Sequence, residues 1–389
     1  MVLVRDIALS RAPLVAFAAM GLLWGGFAAS VPELKAGIGA GDAAFGGALF
    51  AASAALVVAM WLAPRAEARL GAAALPLAAA AMGLAFLTPG LAGGVAGFAL
   101  AMGLCALASG TLDVLMNARI SGIETRSGRE LMNLNHAIFS LAYMVAALAT
   151  GVAREIGLGP AAILTALALA VLAAVPLMRA PMVGATAAEG AGAPAAWGLL
   201  SLLGGAVVFA AFTGEHAVES WSALHLEREL GGGAAEGAAG PALLGFTMFV
   251  GRMSGQVLSA RLGARRLIGA GAVLAAAGSL GVAAAPGLAA AYAGFAALGL
   301  GLSVMAPTAM GLVGRGLPDD LRVAMIARVS MVGFMGFFVG PPLMGGLSAL
   351  FGLRWAFVAI AVLLLVVPLL LPALGRATAQ PAGRSQSRP

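Results

Sequence analysis

A chain of 389 residues that is 61% hydrophobic, 10% charged and has a mean hydropathy of +1.01 cannot cover a water-facing surface, since soluble domains carry about 25% charged residues. The length suits twelve membrane spans of about 20 residues with short loops and leaves no room for a folded soluble domain. The net charge of +6 comes from arginines scattered singly between apolar runs, without the dense basic patch and stacking aromatics that nucleic acid requires. The single cysteine, Cys105, sits inside an apolar run and excludes a disulfide-stapled secreted fold.

In chain order the apolar stretches fall near 12–31, 43–63, 71–88, 92–118, 131–152 and 160–178, then 197–218, 241–259, 267–285, 288–314, 323–348 and 355–374. The first is too long for a signal-peptide core and reads as a span. The stretches are apolar all round, as expected where one face meets lipid and another meets neighbouring helices. Fifty-six glycines supply the close helix approach on which packing in lipid depends.

With the N-terminus inside, sixteen of the 22 basic residues fall on the cytoplasmic side, four on the outer side (Lys35, Arg154, Arg228 and Arg354), and two, Arg252 and Arg328, within spans. That bias places both termini in the cytoplasm of a bacterial-type inner (plasma) membrane. The Gly, Ala and Pro-rich stretch 179–196 reads as a cytoplasmic linker between six-helix halves at 1–178 and 197–375, and 376–389 as a disordered cytoplasmic tail. The pentapeptide Ala-Arg-Leu-Gly-Ala at Ala68–Ala72 returns at Ala260–Ala264, each time between the second and third span of its half. Parallel six-span halves place a transport site at their interface. The expected fold class is an all-α integral membrane protein of twelve helices in two pseudo-symmetric halves.

Three acidic residues lie within or at the ends of spans: Asp113, Glu215 and Glu219. A carboxylate at the bilayer centre costs about 2.5–3.5 kcal/mol on insertion scales, so it must pair, hold a proton or face a wet cavity. Pairs 113/136 and 117/133 share a midpoint within half a residue across the hairpin of spans four and five, which predicts Asp113 level with His136 and Asn117 level with Asn133. Two readings stand: a proton-binding carboxylate tuned by an imidazole with asparagines for a substrate, or an interhelical network that only holds helices together. Glu215 and Glu219 share one face of the seventh span, with His216 beside them. Counting from Trp197 sets them near the external mouth, as a second protonation site, a substrate entrance with Trp221 as a ring platform, or an ordinary interfacial helix end. Trp24 reads equally as a cavity-lining platform or as core. Glu33, beside Lys35, reads as solvated, and Arg328 as snorkelling toward the cytoplasm.

Several segments together resemble the major facilitator superfamily, and within it the fucose-permease-like branch. The loop Arg65 to Gly71, including Arg69, is similar to the family's glycine and arginine loop motif, as are Gly251-Arg252 and Arg261 through Gly263 to Arg266. The first copy has Ala68 where an acid is usual, with Glu67 one place early. Leu112-Asp113 through Asn117, with Leu131 through His136, resembles the branch's fourth and fifth spans. Gly333 through Gly336, Gly340, Pro341 and Pro342 resembles its eleventh, where helices must bend or pack closely. The resemblance covers the whole chain and implies a proton-coupling acid at Asp113.

Phosphate-loop and zinc patterns are absent from the sequence, so no cofactor and no metal are expected and a gradient must supply the energy. The leading expectation is a monomeric proton-coupled secondary transporter, not an enzyme, moving a small polar or sugar-like solute by alternating access. Its partners are then a small-molecule substrate, protons and the lipid bilayer, with no nucleic acid. A proton-driven exporter of amphipathic compounds is the alternative, and an intramembrane enzyme built on His136 and Ser140 the minor one.

Overall fold

The computed structural model describes residues 2–179, 198–315, 317 and 319–379. The expected linker, apart from Arg179, and the tail beyond residue 379 lie outside the described residues, as does Trp197. A short helix, α1 (Val2–Leu9), precedes six long ones: α2 (Arg11–Gly37), α3 (Asp42–Leu70), α4 (Ala74–Ala85), α5 (Val95–Ser127), α6 (Met132–Glu155) and α7 (Pro160–Ala174). Six more form the second half: α8 (Gly198–Leu224), α9 (Ala234–Leu262), α10 (Ala264–Ala284), α11 (Leu288–Val313), α12 (Asp319–Phe351) and α13 (Leu353–Ala379). A π-helical turn, His225–Glu229, extends α8.

The twelve expected spans correspond to α2–α13. Ten segments pass on length and hydropathy alone, one of them the 50-residue stretch Asp42–Leu91 that holds both α3 and α4. The remaining span, α9, falls short because Arg252, Gln256 and several glycines dilute its apolar content. The last helix runs on to Ala379, four residues past the expected end of the second half.

The halves share one packing plan. In the first, α2 packs on α6, α3 on α5 and α4 on α7; in the second, α8 packs on α12, α9 on α11 and α10 on α13. Two seams join them, α3 against α12 and α6 against α9, and these exchange under the same correspondence. The repeated pentapeptide sits at equivalent corners: Gly71 (φ 54°) ends α3 and Gly263 (φ 78°) ends α9. Only glycine takes that backbone conformation without strain.

Because the number of spans is even, α2 begins and α13 ends at the same end of the bundle, called here the terminal end; the opposite end is the distal end. The seams depend on missing side chains. A Cβ on Gly345 of α12 would lie 2.6 Å from the Asp42 carbonyl of α3, and one on Gly245 of α9 would lie 2.9 Å from the Ser140 carbonyl of α6. Helix α12 stays helical through Pro341 and Pro342, and Gly340 and Pro341 face His216 and Gly46 respectively. Outward-facing Leu100, Leu169, Val362 and Leu369 are exposed, as a lipid-facing surface requires.

Candidate functional site

Helices α5, α6, α8 and α9 bring the intramembrane polar residues into one chain that crosses between the halves. Asn117, one turn below Asp113 on α5, donates its side-chain amide to Asp113 Oδ1 at 3.0 Å and to the Asp113 carbonyl at 2.9 Å. Its own amide oxygen meets His136 Nε2 of α6 at 3.2 Å, and the edge of Phe17 from α2 packs on the imidazole, 4.7 Å between centroids. Arg252 of α9 then reaches over from the second half: its Nη1 donates to the His136 carbonyl at 3.0 Å and to Ser140 Oγ. Arg252 Nη2 lies 3.9 Å from Glu215 Oε1 on α8. Asp113, Asn117, His136, Arg252 and Glu215 therefore form a continuous polar path through the middle of an apolar bundle, where each of these groups is expensive to bury alone.

The register differs from the sequence expectation by one turn. His136 meets Asn117 rather than Asp113, and Asn133 takes no hydrogen bond among the described residues. Helix α5 continues to Ser127 and α6 starts only at Met132, so the hairpin is asymmetric and its midpoint lies nearer α6 than equal arms would put it.

Glu215 and Glu219 are not at a helix mouth. Helix α8 and its π turn run on to Glu229, and both carboxylates line a small cavity with Ser140 and Tyr143 of α6 and Gly245 of α9. His216 Nδ1 lies 3.7 Å from Glu219 Oε2, and its Nε2 is 3.3 Å from Ser220 Oγ. Of the two tryptophans expected at the site, Trp24 is half-buried and Trp221 is fully packed. Trp24 donates to Ser109 Oγ at 3.2 Å and meets Phe27 and Phe86 edge-on. Trp221 is fully buried against Phe45 of α3.

Arg252 lies within its span as expected, but bonds at the centre of the bundle rather than to the loop motif. It was grouped with the loop motif through its neighbour Gly251, yet it sits ten residues from the end of α9 and serves the centre of the bundle. Gly251 only makes room for Ser303 of α11. Ser140 Oγ donates to the His136 carbonyl and accepts from Arg252, so it is not aligned on the imidazole as a nucleophile would be.

The loop motif itself is held by a residue the sequence reading counted only as a cytoplasmic charge. Arg119, 2% exposed near the end of α5, donates to the Gly71 carbonyl at 3.0 Å and pairs with Glu67 at 3.4 Å. Glu67 thus makes the contact despite standing one place early. Arg65 folds over Trp61, 3.7 Å from the ring centroid, while Arg69 and Arg261 are exposed.

A second cluster, at the distal end, was also read as ordinary loop charge. Arg154 of α6 donates to Glu33 of α2 at 3.0 Å, to the Ala29 carbonyl at 2.7 Å and to both carboxylate oxygens of Glu227 at 2.7 and 3.0 Å. Beside it Asp42 takes Lys35 at 2.8 Å, both oxygens bound by Arg228 at 2.9 Å, and the Ser348 hydroxyl. Glu33, Lys35, Asp42 and Arg154 belong to the first half; Glu227, Arg228 and Ser348 belong to the second. Glu33 is therefore paired as well as partly solvated. Glu155 adds a further link, accepting from the Ala235 amide at the start of α9 at 3.1 Å, where a carboxylate suits the helix dipole.

Residues 202–389 match the family model described as Major Facilitator Superfamily. The nucleoside transporter NupG superposes with a TM-score of 0.74, covering 95% of this chain and 99% of that one at 12% identity. The fold is that of the Major Facilitator Superfamily. The fucose:proton symporter FucP of E. coli superposes with a TM-score of 0.60, covering 97% and 100% of the two chains at 17% identity. An uncharacterized MFS-type transporter of Yersinia pestis is 29% identical over 362 residues, 91% of this chain and 92% of that protein. Likeness at the level of these structures establishes the architecture and leaves the choice of branch and substrate to the residues of the site.

Proposed function

We propose that the chain is a Major Facilitator Superfamily transporter that moves a small polar or sugar-like solute by alternating access, with a proton taken up and released at Asp113. The supporting observation is the path from Asp113 through Asn117 to His136, whose carbonyl accepts from Arg252, and on to Glu215 3.9 Å away, so that ionisable groups of both halves meet inside the bundle. A carboxylate there is too costly to serve as helix glue alone, and a site between parallel six-helix halves is where such proteins bind their cargo. Hydroxyl-rich cargo fits this lining of amide, imidazole and carboxylate groups. The printed names of NupG and FucP, a nucleoside transporter and a fucose:proton symporter, point the same way, and the segments around Asp113 and Gly340 carry the fucose-permease-like resemblance.

The arginine bias sets the terminal end in the cytoplasm of a bacterial inner membrane. In that orientation the Arg154 and Asp42 clusters close the outer end, and the described conformation is the outward-closed member of the cycle.

The test is solute-driven proton movement in proteoliposomes loaded with a pH-sensitive dye. Adding L-fucose or a nucleoside to one side produces a proton flux with the native chain. Asp113→Asn abolishes that flux while keeping exchange of labelled solute across the membrane. An undiminished flux in Asp113→Asn removes the coupling assignment, and flux that runs only against solute entry reassigns the protein as an exporter.

A further inference from the structure

The path from Asp113 uses only the first of the two carboxylates on α8. Glu219, one turn beyond Glu215, faces the same cavity, and the cavity has a composition of its own. Its polar lining consists of Glu215, Glu219, Ser140 and Tyr143, all oxygen donors of the kind hard cations take. Its volume is about 10 Å³, room for one water-sized body. Tyr143 is 2% exposed and its hydroxyl has no hydrogen-bond partner among the described residues, although buried hydroxyls are almost always satisfied. Something that a hydroxyl oxygen can bind belongs in that space.

Charge gives the sign. Two carboxylates face one guanidinium, that of Arg252 at 3.9 Å from Glu215. With both carboxylates ionised, the two acids and one guanidinium are together one positive charge short inside a low-dielectric bundle, where an uncompensated charge is strongly disfavoured. A divalent ion would overshoot and an anion would deepen the deficit. Gly245 lets α9 come close to α6 beside the cavity, since a Cβ there would lie 2.9 Å from the Ser140 carbonyl.

We propose that the cavity between α6, α8 and α9 is a binding site for one sodium ion, held by Glu215, Glu219 and the Tyr143 hydroxyl. The ion bridges the two halves along the α6–α9 seam, because Tyr143 belongs to the first half and both glutamates to the second. It is separate from the proton site at Asp113, and its test is a binding measurement that needs no transport, so the two readings fail independently.

The experiment is thermal unfolding of the purified full-length chain in detergent at constant ionic strength, with sodium, lithium, potassium or choline chloride. Sodium raises Tm saturably, by about 3 °C at one hundred times its dissociation constant; lithium does so in part, and potassium and choline do not. Tyr143→Phe and Glu219→Gln lose the sodium-dependent rise, each compared with its own value in choline so that a change in basal stability does not enter. Asp113→Asn keeps the rise. Identical Tm in all four salts overturns the proposal, and so does a Tm that follows pH but no alkali cation, which makes the occupant a proton. Retention of the sodium effect in both Tyr143→Phe and Glu219→Gln overturns the location.

Discussion

Removing Arg154 tests whether the distal cluster holds the two halves together. Its guanidinium is 2% exposed and carries a two-pronged bond to Glu227 of the second half, a bond to Glu33 and one to the Ala29 carbonyl. Deleting one partner of a buried ion pair costs about 3–5 kcal/mol. Glu33 and Glu227 keep 36% and 19% of their side chains exposed, so water screens part of the loss and about 2–3 kcal/mol is a better figure. In Arg154→Gln the two carboxylates face each other unpaired when the end is closed and are hydrated when it is open. The penalty therefore falls on the closed form. At 1.4 kcal/mol per decade, the open population rises about 30- to 150-fold. Beneath the cluster, Ala29, Ala147, Ala238 and Ala242 of three helices pack as a buried patch, so a thiol at Ala242→Cys reports opening through its rate of maleimide labelling. The native Cys105 is buried and its background is read from the unsubstituted chain. Labelling of Ala242→Cys that stays within twofold when Arg154→Gln is added refutes the assignment of the cluster as a seal.

Two further outcomes follow from the terminal end. Arg119→Ala strips the buried contact to Gly71 and Glu67 and lowers stability by about 3 kcal/mol, read as a fall in Tm; an unchanged Tm means the loop holds its shape without the clamp. Asp6 of α1 pairs with Arg129 in the loop between α5 and α6, and that hydrogen bond lowers its carboxyl below the ordinary 3.8. A depressed folded value means the pairing supports α1 fully above pH 3.8 and is lost as pH falls through the lower folded value. Hydrogen exchange across residues 2–9 should accelerate in Asp6→Asn at neutral pH and stay equal to the native chain only in strong acid.

The spans were legible because lipid leaves the backbone so few options: long apolar runs between arginine-bearing loops could be little else. The internal repeat was legible for a local reason, since Gly71 and Gly263 both occupy positive φ at a tight corner. Depth along helices was less legible. The midpoint argument assumed a symmetric hairpin, and the unequal ends of α5 and α6 moved His136 one turn, from Asp113 to Asn117. Counting from Trp197 failed for Glu215 because α8 does not stop where its apolar run stops: Trp221, Leu224 and Leu226 keep it buried as far as the π turn. The distal cluster gave the least signal. Glu33, Asp42, Arg154, Glu227 and Ser348 come from distant stretches of sequence, and each alone resembles an ordinary charge or hydroxyl at a helix end. Arg252 did carry a signal, as an arginine inside a span, but its place next to Gly251 drew it into the loop motif.

The Arg154 part of the distal cluster and the central path are joined through one helix, α6, which also forms the α6–α9 seam. Helix α6 carries His136, Ser140, Tyr143 and Arg154, and a rise of about 1.5 Å per residue separates His136 from Arg154 by about 27 Å. Helix α9 answers with Arg252 opposite the first two, Gly245 opposite the third, and the Ala234–Ala238 stretch near the last. If the halves rock as rigid bodies, parting Arg154 from Glu227 at one end cannot leave the Arg252 bonds to His136 and Ser140 as they are. Those bonds compete with Glu215 for the same guanidinium. The α3–α12 seam is held by Gly46 against Gly345, by Ser53 donating to the Phe337 carbonyl at 3.1 Å, and at its distal end by Asp42 with Ser348 and Arg228. Both seams are thus tied by polar groups at the distal end, and the α6–α9 seam carries Arg252 at its centre as well.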